Sequence, residues 1–176
     1  MNNQLVKDII EQNTIIDDIF NCKENIIVHQ VNMHKKMASG IAKQIRERFP
    51  NVYEEYMKYD CELGDVGFVI VCKLNGWTDN YEYMKEDFVH RAKEYRCVAN
   101  LYSQRNYGYD GNLYTDYDAM RKGFKTIANG CKQFDISLAI PYGIGCGLGG
   151  ANWEIVSQII VEELADIEYK IYKLKA

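Results

Sequence analysis

Short apolar runs and amphipathic segments alternate along the chain. Runs rich in β-branched residues, too short for helices, predict strands at 14–20, 26–31, 66–72, 97–102, 136–141 and 169–174. Apolar residues spaced three and four positions apart predict helices at 1–12, 40–49, 50–57, 77–95, 115–134 and 151–164. Because helices follow apolar strands, this order predicts an α/β fold, in which a largely parallel sheet carries helices on both faces.

The segment 143–150 lies between a predicted strand and a predicted helix. Glycine occupies five of its eight positions, namely 143, 145, 147, 149 and 150. Glycine permits positive φ and close approach of the backbone to a ligand, and the following helix presents unpaired N–H groups. A tight strand-to-helix turn needs only one or two glycines. The pattern therefore favours a loop that binds an anion, most often phosphate.

Two common nucleotide motifs do not account for this loop. Gly145-x-Gly147-x-x-Gly150 formally matches the dinucleotide fingerprint, but the strand that follows is the last in the chain and ends without an acidic residue. No Gly-Lys-Ser/Thr sequence follows the loop, so the Walker A motif is also excluded. We therefore do not expect the chain to use NAD in redox chemistry.

Composition and charge indicate the class of protein and exclude some binding partners. The chain has 176 residues, of which 47% are hydrophobic and 26% charged, which is typical of one globular domain. A formal net charge of −4 argues against sequence-independent binding of nucleic acid. The N-terminus does not resemble a signal peptide, and no run suggests a membrane partner. Six scattered cysteines without a Cys-x-x-Cys pair predict a reduced, cytoplasmic protein that holds no metal and needs no cofactor.

In an open α/β sheet, the ligand lies beyond the carboxyl ends of the strands. Three loops are expected to meet there, at 32–39, 103–112 and 143–150. Two of them open a helix at small residues, Ser39-Gly40 and Gly149-Gly150. A ligand with two phosphates fits this arrangement most simply.

Three segments carry a resemblance to a known family. Val28–Asn32, Ser39–Lys43 and Ile140–Gly150, the last followed by Trp153-Glu154, look like the corresponding parts of a macrodomain. More narrowly, they are similar to the compact branch that contains ADP-ribose 1″-phosphate phosphatases and the terminal ADP-ribose protein glycohydrolase. The resemblance covers about residue 14 to the end.

The resemblance implies a single macrodomain over residues 1–176, with a three-layer α/β/α fold and a central mixed sheet of about six strands. Residues 1–12 are then an N-terminal extension, and 75–96 a helical insertion between strands. The helix at 77–95 is either a self-association surface or a harmless insertion.

The resemblance also implies ADP-ribose as the ligand. Asp18 matches the acid that pairs with the adenine amino group, beside the backbone of Ile19, and Tyr172 falls where an aromatic residue flanks adenine. Alternatively, Asp18 caps a turn and Tyr172 belongs to the core. The other expected ligand-binding residues are Asn32, Ser39, Gly40, Ile41, Ser103, Gly143, Ile144, Gly145, Cys146, Gly147 and Leu148.

The chain departs from this family at the positions that matter for chemistry. The glycohydrolase branch uses a lysine nucleophile and an acid where this sequence has Gln104 and Gly149. Neither residue can replace those groups, so lysine-based deglycosylation should be absent. The acid of the large deacetylase-and-hydrolase macrodomains is not recognisable at Gly40-Ile-Ala either.

The remaining catalytic candidates are Asn32, His34, Gln104 and Asp110. Asn32 could orient a ribose hydroxyl or a water, and His34 could transfer a proton unless it is a solvated loop histidine. Asp110 borders the expected site, although it also fits a turn. A phosphocysteine mechanism at Cys146 lacks the arginine that normally accompanies it in the same loop.

The leading hypothesis is an ADP-ribose-binding macrodomain that hydrolyses the phosphate of ADP-ribose 1″-phosphate. Two alternatives remain open. One is a non-catalytic binder of ADP-ribose or a similar signal. The other is an ADP-ribosyl hydrolase that works without a lysine, on protein or nucleic acid.

Overall fold

The computed structural model describes residues 2–74 and 91–176, which form a six-stranded sheet flanked by helices. The strands are β1 Thr14–Ile16, β2 Ile26–Asn32, β3 Val66–Lys73, β4 Tyr95–Gln104, β5 Leu138–Pro141 and β6 Tyr169–Lys173. The α-helices are α1 Asn3–Asn13, α2 Gly40–Arg48, α3 Pro50–Lys58, α4 Tyr117–Phe134 and α5 Trp153–Glu163. Short 3₁₀ turns occur at Ile19–Asn21 and Ala92–Glu94.

The sheet has the order β1-β6-β5-β2-β4-β3. All neighbouring strands are parallel except β3 and β4, which are antiparallel. The sheet is therefore mixed. The carboxyl ends of the five parallel strands lie at one edge, where a ligand site is expected.

Helices cover both faces of the sheet. On one face, α1, α4 and α5 pack on alternate strand residues such as Val28 and Leu138. On the other face, α2 and α3 pack on residues such as Ile27 and Ala139. The predicted three-layer α/β/α architecture is confirmed, because the period-2 alternation of each central strand supplies an apolar surface to both layers.

Some element boundaries differ from the prediction. Strand β4 begins at Tyr95 rather than Cys97, because Tyr95 and Arg96 pair with Lys73 and Cys72 of β3. Tyr95 is therefore a buried strand residue and not part of a helix. The predicted helix at 77–95, and with it the proposed self-association surface, otherwise falls largely outside the described residues.

Two helix starts follow from capping side chains. Helix α5 begins at Trp153, two residues later than predicted, because the Asn152 side chain accepts a hydrogen bond from the Glu154 amide at 2.8 Å. Asp116 caps α4, since its side chain accepts a hydrogen bond from the Ala119 amide at 2.9 Å. Across residues 2–74 and 91–176, none of the helices has the length and apolar character needed to cross a bilayer.

Candidate functional site

A cavity of about 970 Å³ lies at the edge where the parallel strands end. Its walls include the residues after β1, the last residues of β2 and β4, and the loop after β5. The volume is within the range of small-molecule sites in proteins. Of the predicted ligand-binding residues, the cavity brings together Asp18, Ile19, Asn32, Ser39, Gly40, Ile41, Gly143, Ile144, Gly145, Gly147, Leu148 and Tyr172.

The glycine loop, residues 143–150, is folded by its own backbone. The amides of Ile144 and Cys146 donate to the carbonyls of Pro141 and Gly143, at 3.1 and 2.8 Å. Gly143 and Gly145 have φ values of +72° and +77°, in the left-handed region that favours glycine. The amides of Ile144 and Cys146 are therefore used inside the loop and are not available to a ligand.

Other amides of the glycine loop have no partner. Within the described part of the chain, none of the following N–H groups donates a hydrogen bond: Gly143, Gly145, Gly147, Leu148 and Gly149. All five residues line the cavity. Unpaired backbone N–H groups that converge on a concave surface form an anion-binding site. The observed donors overlap with the predicted ones but also include Gly149.

A buried polar cluster supports the glycine loop from below. The Gln30 side-chain amide donates to Ser103 Oγ and Thr115 Oγ1, both at 3.0 Å, and the Thr115 hydroxyl donates to the Gly145 carbonyl at 3.0 Å. Ser103 is fully buried in this cluster and does not line the cavity. Its hydroxyl is thus occupied by Gln30, and the prediction that Ser103 contacts the ligand directly is not supported by its position.

The polar cluster also leaves no room for a side chain at position 149. A Cβ atom on Gly149 would lie 2.4 Å from the Gly145 carbonyl oxygen, 2.5 Å from Thr115 Oγ1 and 2.7 Å from Gln30 Oε1. The absence of a carboxylate here is therefore a packing requirement of this chain.

Asp18 and Ile19 form one end of the cavity. Asp18 Oδ1 accepts a hydrogen bond from the Phe20 amide at 3.0 Å, so the residue does cap the turn that follows β1. The Ile19 amide has no partner among the described residues. A carboxylate and a free amide side by side can accept from and donate to one edge of a purine.

Tyr172 has a double role at this end. Its hydroxyl donates to Glu24 Oε2 at 2.7 Å, and its ring is largely buried but reaches the cavity. Burial, and then the bond to Glu24, raise the pKa of the Tyr172 hydroxyl. The ring is therefore held rigidly, and it can flank a bound base.

Asn32 organises the loop after β2. Its Nδ2 donates to the Lys36 carbonyl at 2.8 Å, and its Oδ1 accepts from the His34 amide at 2.9 Å. The hydroxyl of Tyr56 donates to the Asn32 carbonyl. Most of the hydrogen-bonding capacity of Asn32 is thus used to fix this loop, which leads to Ser39 and α2.

Gln104 and Lys36 are the polar side chains with free capacity near Asn32. Gln104 pairs with Asn32 in the strand register, is 7% exposed and lines the cavity. Neither its side-chain amide nor the Lys36 ammonium has a hydrogen-bond or ion-pair partner within residues 2–74 and 91–176. Both groups can therefore contact a ligand that reaches this end.

Besides Ser103, three predicted residues do not line the cavity, namely His34, Asp110 and Cys146. The His34 ring is exposed and its Nε2 lies 2.7 Å from Asn106 Oδ1. Bonds from the Asn112 amide and the Tyr114 hydroxyl lower the pKa of Asp110, so its carboxylate is a poor proton acceptor. The catalytic roles of His34 and Asp110 stay predictions, made for residues that are not part of the cavity wall.

Cys146 packs against the hydrophobic core and does not line the cavity, and burial raises the pKa of its thiol to about 11. It is therefore a neutral thiol at physiological pH, which does not suit a nucleophile. Its Sγ contacts the Ile144 carbonyl at 3.6 Å. The side chain helps to close the glycine loop.

Several cavity residues were not predicted, among them Gln30, Lys36, Tyr107, Tyr109 and Lys173. Tyr107 and Tyr109 belong to the polar, aromatic loop that sequence reasoning placed beside the site. The alternation of side chains along β2 could have shown that Gln30 shares a face with Val28. No local sequence signal identifies its hydrogen-bond partners, which lie far away in the chain. Over the described ranges, no group of three His, Cys, Asp or Glu side chains is arranged to hold a metal ion.

Comparison with known proteins gives several relatives over most of the chain, although no family model matches. The ADP-ribose glycohydrolase OARD1 of Bos taurus is 27% identical over 161 residues, which cover 89% of this chain and 88% of that protein. The Homo sapiens protein of the same name is 26% identical with the same coverage.

Solved structures show the same architecture. A Bacteroides thetaiotaomicron protein of unknown function has a TM-score of 0.68 at 26% identity, covering 90% of this chain and 95% of its own. The macrodomain of Mycobacterium tuberculosis DarG has a TM-score of 0.68 at 21% identity, covering 90% and 96%. Thermosipho africanus DarTG in complex with ADP-ribose has a TM-score of 0.68 at 23% identity, covering 93% of this chain and 42% of that one. The chain therefore has the macrodomain fold.

Proposed function

We propose that this protein binds ADP-ribose and hydrolyses the phosphate monoester of ADP-ribose 1″-phosphate. The observation that carries the proposal is the set of five amides between Gly143 and Gly149 that are unpaired within the described part of the chain, in a cavity with Asp18 at one end. The names of similar proteins support the ADP-ribose part of the proposal, since OARD1 is an ADP-ribose glycohydrolase and DarTG is described in complex with ADP-ribose.

Each part of the ligand has a chemically suitable partner. The adenine amino group donates to the Asp18 carboxylate, while the Ile19 amide donates to a ring nitrogen and Tyr172 flanks the base. The diphosphate accepts from the unpaired amides of the glycine loop. The distal ribose then lies toward α2, near Ser39 and Gln104.

The side chains near the distal ribose suit a phosphoryl group. Phosphoryl transfer depends mainly on positioning and electrostatic stabilisation, and it needs little covalent help from the protein. The Lys36 ammonium offers positive charge, and the Gln104 amide can orient the attacking water. Water attacks the phosphorus, the bond between phosphorus and the 1″ oxygen breaks, and the 1″ oxygen takes up a proton lost by the attacking water.

Phosphate release from ADP-ribose 1″-phosphate, measured alongside calorimetric binding of ADP-ribose, tests the proposal. Gln104→Ala should lower kcat by on the order of a hundredfold while leaving ADP-ribose affinity nearly unchanged. Gln133→Ala, an exposed glutamine on α4, is the matched control. If ADP-ribose binds no better than AMP or NAD, both the binding and the hydrolysis proposals fail.

A non-catalytic binder is the second candidate. It is favoured by the positions of the predicted proton-transfer groups, since His34 and Asp110 do not line the cavity and Asn32 is hydrogen-bonded within its own loop. Tight binding of ADP-ribose 1″-phosphate without phosphate release in a single-turnover experiment would identify this function.

A third candidate, removal of ADP-ribose from a macromolecule without a lysine, is favoured by the name of the OARD1 relatives. Release of free ADP-ribose from an ADP-ribosylated protein would support it over the phosphatase.

We also propose that the protein works in a reducing compartment, the cytoplasm. All six cysteines are free thiols, which agrees with this proposal.

A further inference from the structure

The charged side chains that line the cavity at the ends of the parallel strands are Asp17, Asp18, Lys36 and Lys173. The proposed function uses Asp18 at the adenine end and Lys36 at the distal ribose. Asp17 is occupied, because its Oδ1 accepts from the Asp18 amide at 2.7 Å and from Asn21 Nδ2 at 2.9 Å. Within the described part of the chain, Lys173 is therefore the charged group of the cavity wall to which no role has been assigned.

The Lys173 ammonium keeps its charge available for an anion. Among the residues that the structure describes, it has no ion-pair or hydrogen-bond partner, and Glu154 of the nearby helix α5 is paired with Lys7 at 3.7 Å. The ammonium lies 4.4 Å from the centroid of the Tyr142 ring, which packs on Trp153 with the two centroids 4.7 Å apart. An aromatic face attracts a cation without neutralising it, so the Tyr142 ring holds the ammonium at the cavity.

The neighbours of Lys173 define its position along the cavity. Lys173 directly follows Tyr172 in β6, and Tyr172 flanks the position proposed for adenine. Tyr142, the ring beneath the ammonium, directly precedes Gly143, the first of the loop amides that have no partner within the described residues. The ammonium therefore lies between the positions proposed for the base and for the diphosphate. In ADP-ribose, the group that joins these two parts is the adenosine ribose.

An adenosine ribose with free hydroxyls does not make full use of this cation. Its 2′ and 3′ hydroxyls are neutral, and the diphosphate beside it has the amides of the glycine loop as donors. A phosphate monoester on either hydroxyl carries about −1.5 to −2 charges at neutral pH and has three acceptor oxygens. A hydrogen bond between an ammonium and a phosphate oxygen is roughly twice as strong as one between neutral groups. The position of Lys173 thus suits a phosphorylated adenosine ribose.

We propose that the cavity accepts ADP-ribose that carries a further phosphate monoester on its adenosine ribose, and that Lys173 recognises this phosphate. The Lys173 ammonium donates to the phosphate oxygens, while Tyr142 holds the side chain in place. This inference rests on the ADP-ribose binding proposed above and adds a second anion subsite to it. It does not depend on whether the phosphate of the distal ribose is hydrolysed.

Calorimetry of the full chain with ADP-ribose, ADP-ribose 2′-phosphate and ADP-ribose 3′-phosphate tests the inference. The measured quantity is the ratio of the dissociation constants of ADP-ribose and of each phosphorylated form, so that a general effect on the cavity cancels. One of the two phosphorylated forms should bind about fivefold more tightly than ADP-ribose, as expected for one exposed ion pair. Raising the ionic strength from about 0.1 M to about 1 M should reduce this ratio, because exposed charges are screened.

Variants of Lys173 make the experiment specific. Lys173→Gln should abolish the preference for the phosphorylated form, and Lys173→Glu should reverse it, because a carboxylate repels the phosphate. Lys173→Arg retains the charge and should retain the preference. Lys175→Gln is the matched control, since it removes a second exposed lysine two positions further along that does not line the cavity. Its ratio of dissociation constants should equal that of the unchanged protein.

Equal affinities for ADP-ribose and both phosphorylated forms would overturn this inference and leave the proposed function intact. The inference also fails if Lys173→Gln and Lys175→Gln change the ratio equally, because the preference then comes from overall charge. If Lys173→Gln weakens binding of ADP-ribose and of its phosphorylated forms by the same factor, Lys173 serves the diphosphate and the second subsite is refuted. A protein that binds none of the three ligands would contradict the proposed function, and this inference with it.

Discussion

Two loops that each connect a parallel strand to the next helix differ in how their hydrogen-bonding groups are used. The glycine loop follows β5 and leads to α5, and the loop at 33–39 follows β2 and leads to α2. In the first, five amides at the cavity have no partner among the residues that the structure describes. In the second, the Asn32 side chain and the Tyr56 hydroxyl hold the backbone, and Lys35 is kept at a φ of +59°.

The two loops contribute to the site in different ways. The glycine loop contributes its main chain directly to the cavity, so that its contribution depends on backbone geometry and on the polar cluster beneath it. The second loop uses side chains to fix itself, so that it positions Ser39 and α2 and presents few free groups of its own. Changes in the two loops should therefore have different consequences.

The largest effect is expected from Gly149→Ala. The new methyl group would overlap the Gly145 carbonyl and the Gln30–Thr115 cluster, which should cost about 3 kcal/mol of unfolding free energy and abolish ADP-ribose binding. Gly147→Ala is the matched control, because a Cβ there meets nothing within 4 Å. Chemical denaturation and calorimetry of both variants check the prediction, and equal behaviour would contradict it.

The next largest effect is a loss of stability at low pH, caused by a histidine in β2, the strand that leads into the second loop. His29 of β2 is fully buried, its Nε2 lies 2.6 Å from Asn100 Oδ1, and its Nδ1 has no partner within the described residues. Burial lowers the pKa of His29 from 6.5 to about 4. Between these two values the unfolded chain binds a proton that the folded protein does not.

The free energy of unfolding should therefore have its full value above pH 6.5. It should fall by about 3 kcal/mol as the pH decreases to about 4. Urea denaturation across this range measures the loss. His29→Gln, which retains a donor for Asn100, should flatten the profile between these pH values. An unchanged slope in this variant would show that other groups cause the pH dependence.

A smaller effect is expected for Asn32→Ala, which removes the bonds to Lys36 and His34 that hold the second loop. We expect a loss of about 2 kcal/mol of unfolding free energy, because two bonds of roughly 1 kcal/mol each are lost. ADP-ribose affinity should fall only indirectly, through misplacement of Ser39. Asn51→Ala, which also removes an amide-to-carbonyl bond, is the control for a general loss of stability. If Asn51→Ala weakens ADP-ribose binding as much as Asn32→Ala does, the positioning role is refuted.

The smallest effect should follow Asp18→Asn. Asparagine can still accept from the Phe20 amide, so the turn should persist, while the charged acceptor for adenine is lost. Affinity for ADP-ribose should decrease about tenfold, which corresponds to one charge-assisted hydrogen bond. The hypoxanthine analogue of ADP-ribose lacks the amino group and should bind the variant and the unchanged protein almost equally. A tenfold difference for the analogue as well would assign another role to Asp18.

Much of this molecule was predictable from local sequence. The apolar runs and their spacing determined the strands, the helices and the three-layer order, because the alternation of a buried strand and the stripe of a helix are properties of short segments. The five glycines indicated a loop that lines the cavity, and the family resemblance indicated Asp18, which also lines it. Both signals lie within a few consecutive residues.

Only the tertiary structure decided which side chains are free at the site. Gln30 and Thr115, separated by 85 positions, meet beneath the glycine loop and close the space at Gly149. Ser103 is used in that cluster, His34 pairs with Asn106 from a distant loop, and Asp110 accepts from Tyr114 within its own loop. Sequence periodicity reports the face on which a residue lies, whereas its hydrogen-bond partners depend on contacts between distant segments that form only when the chain has folded.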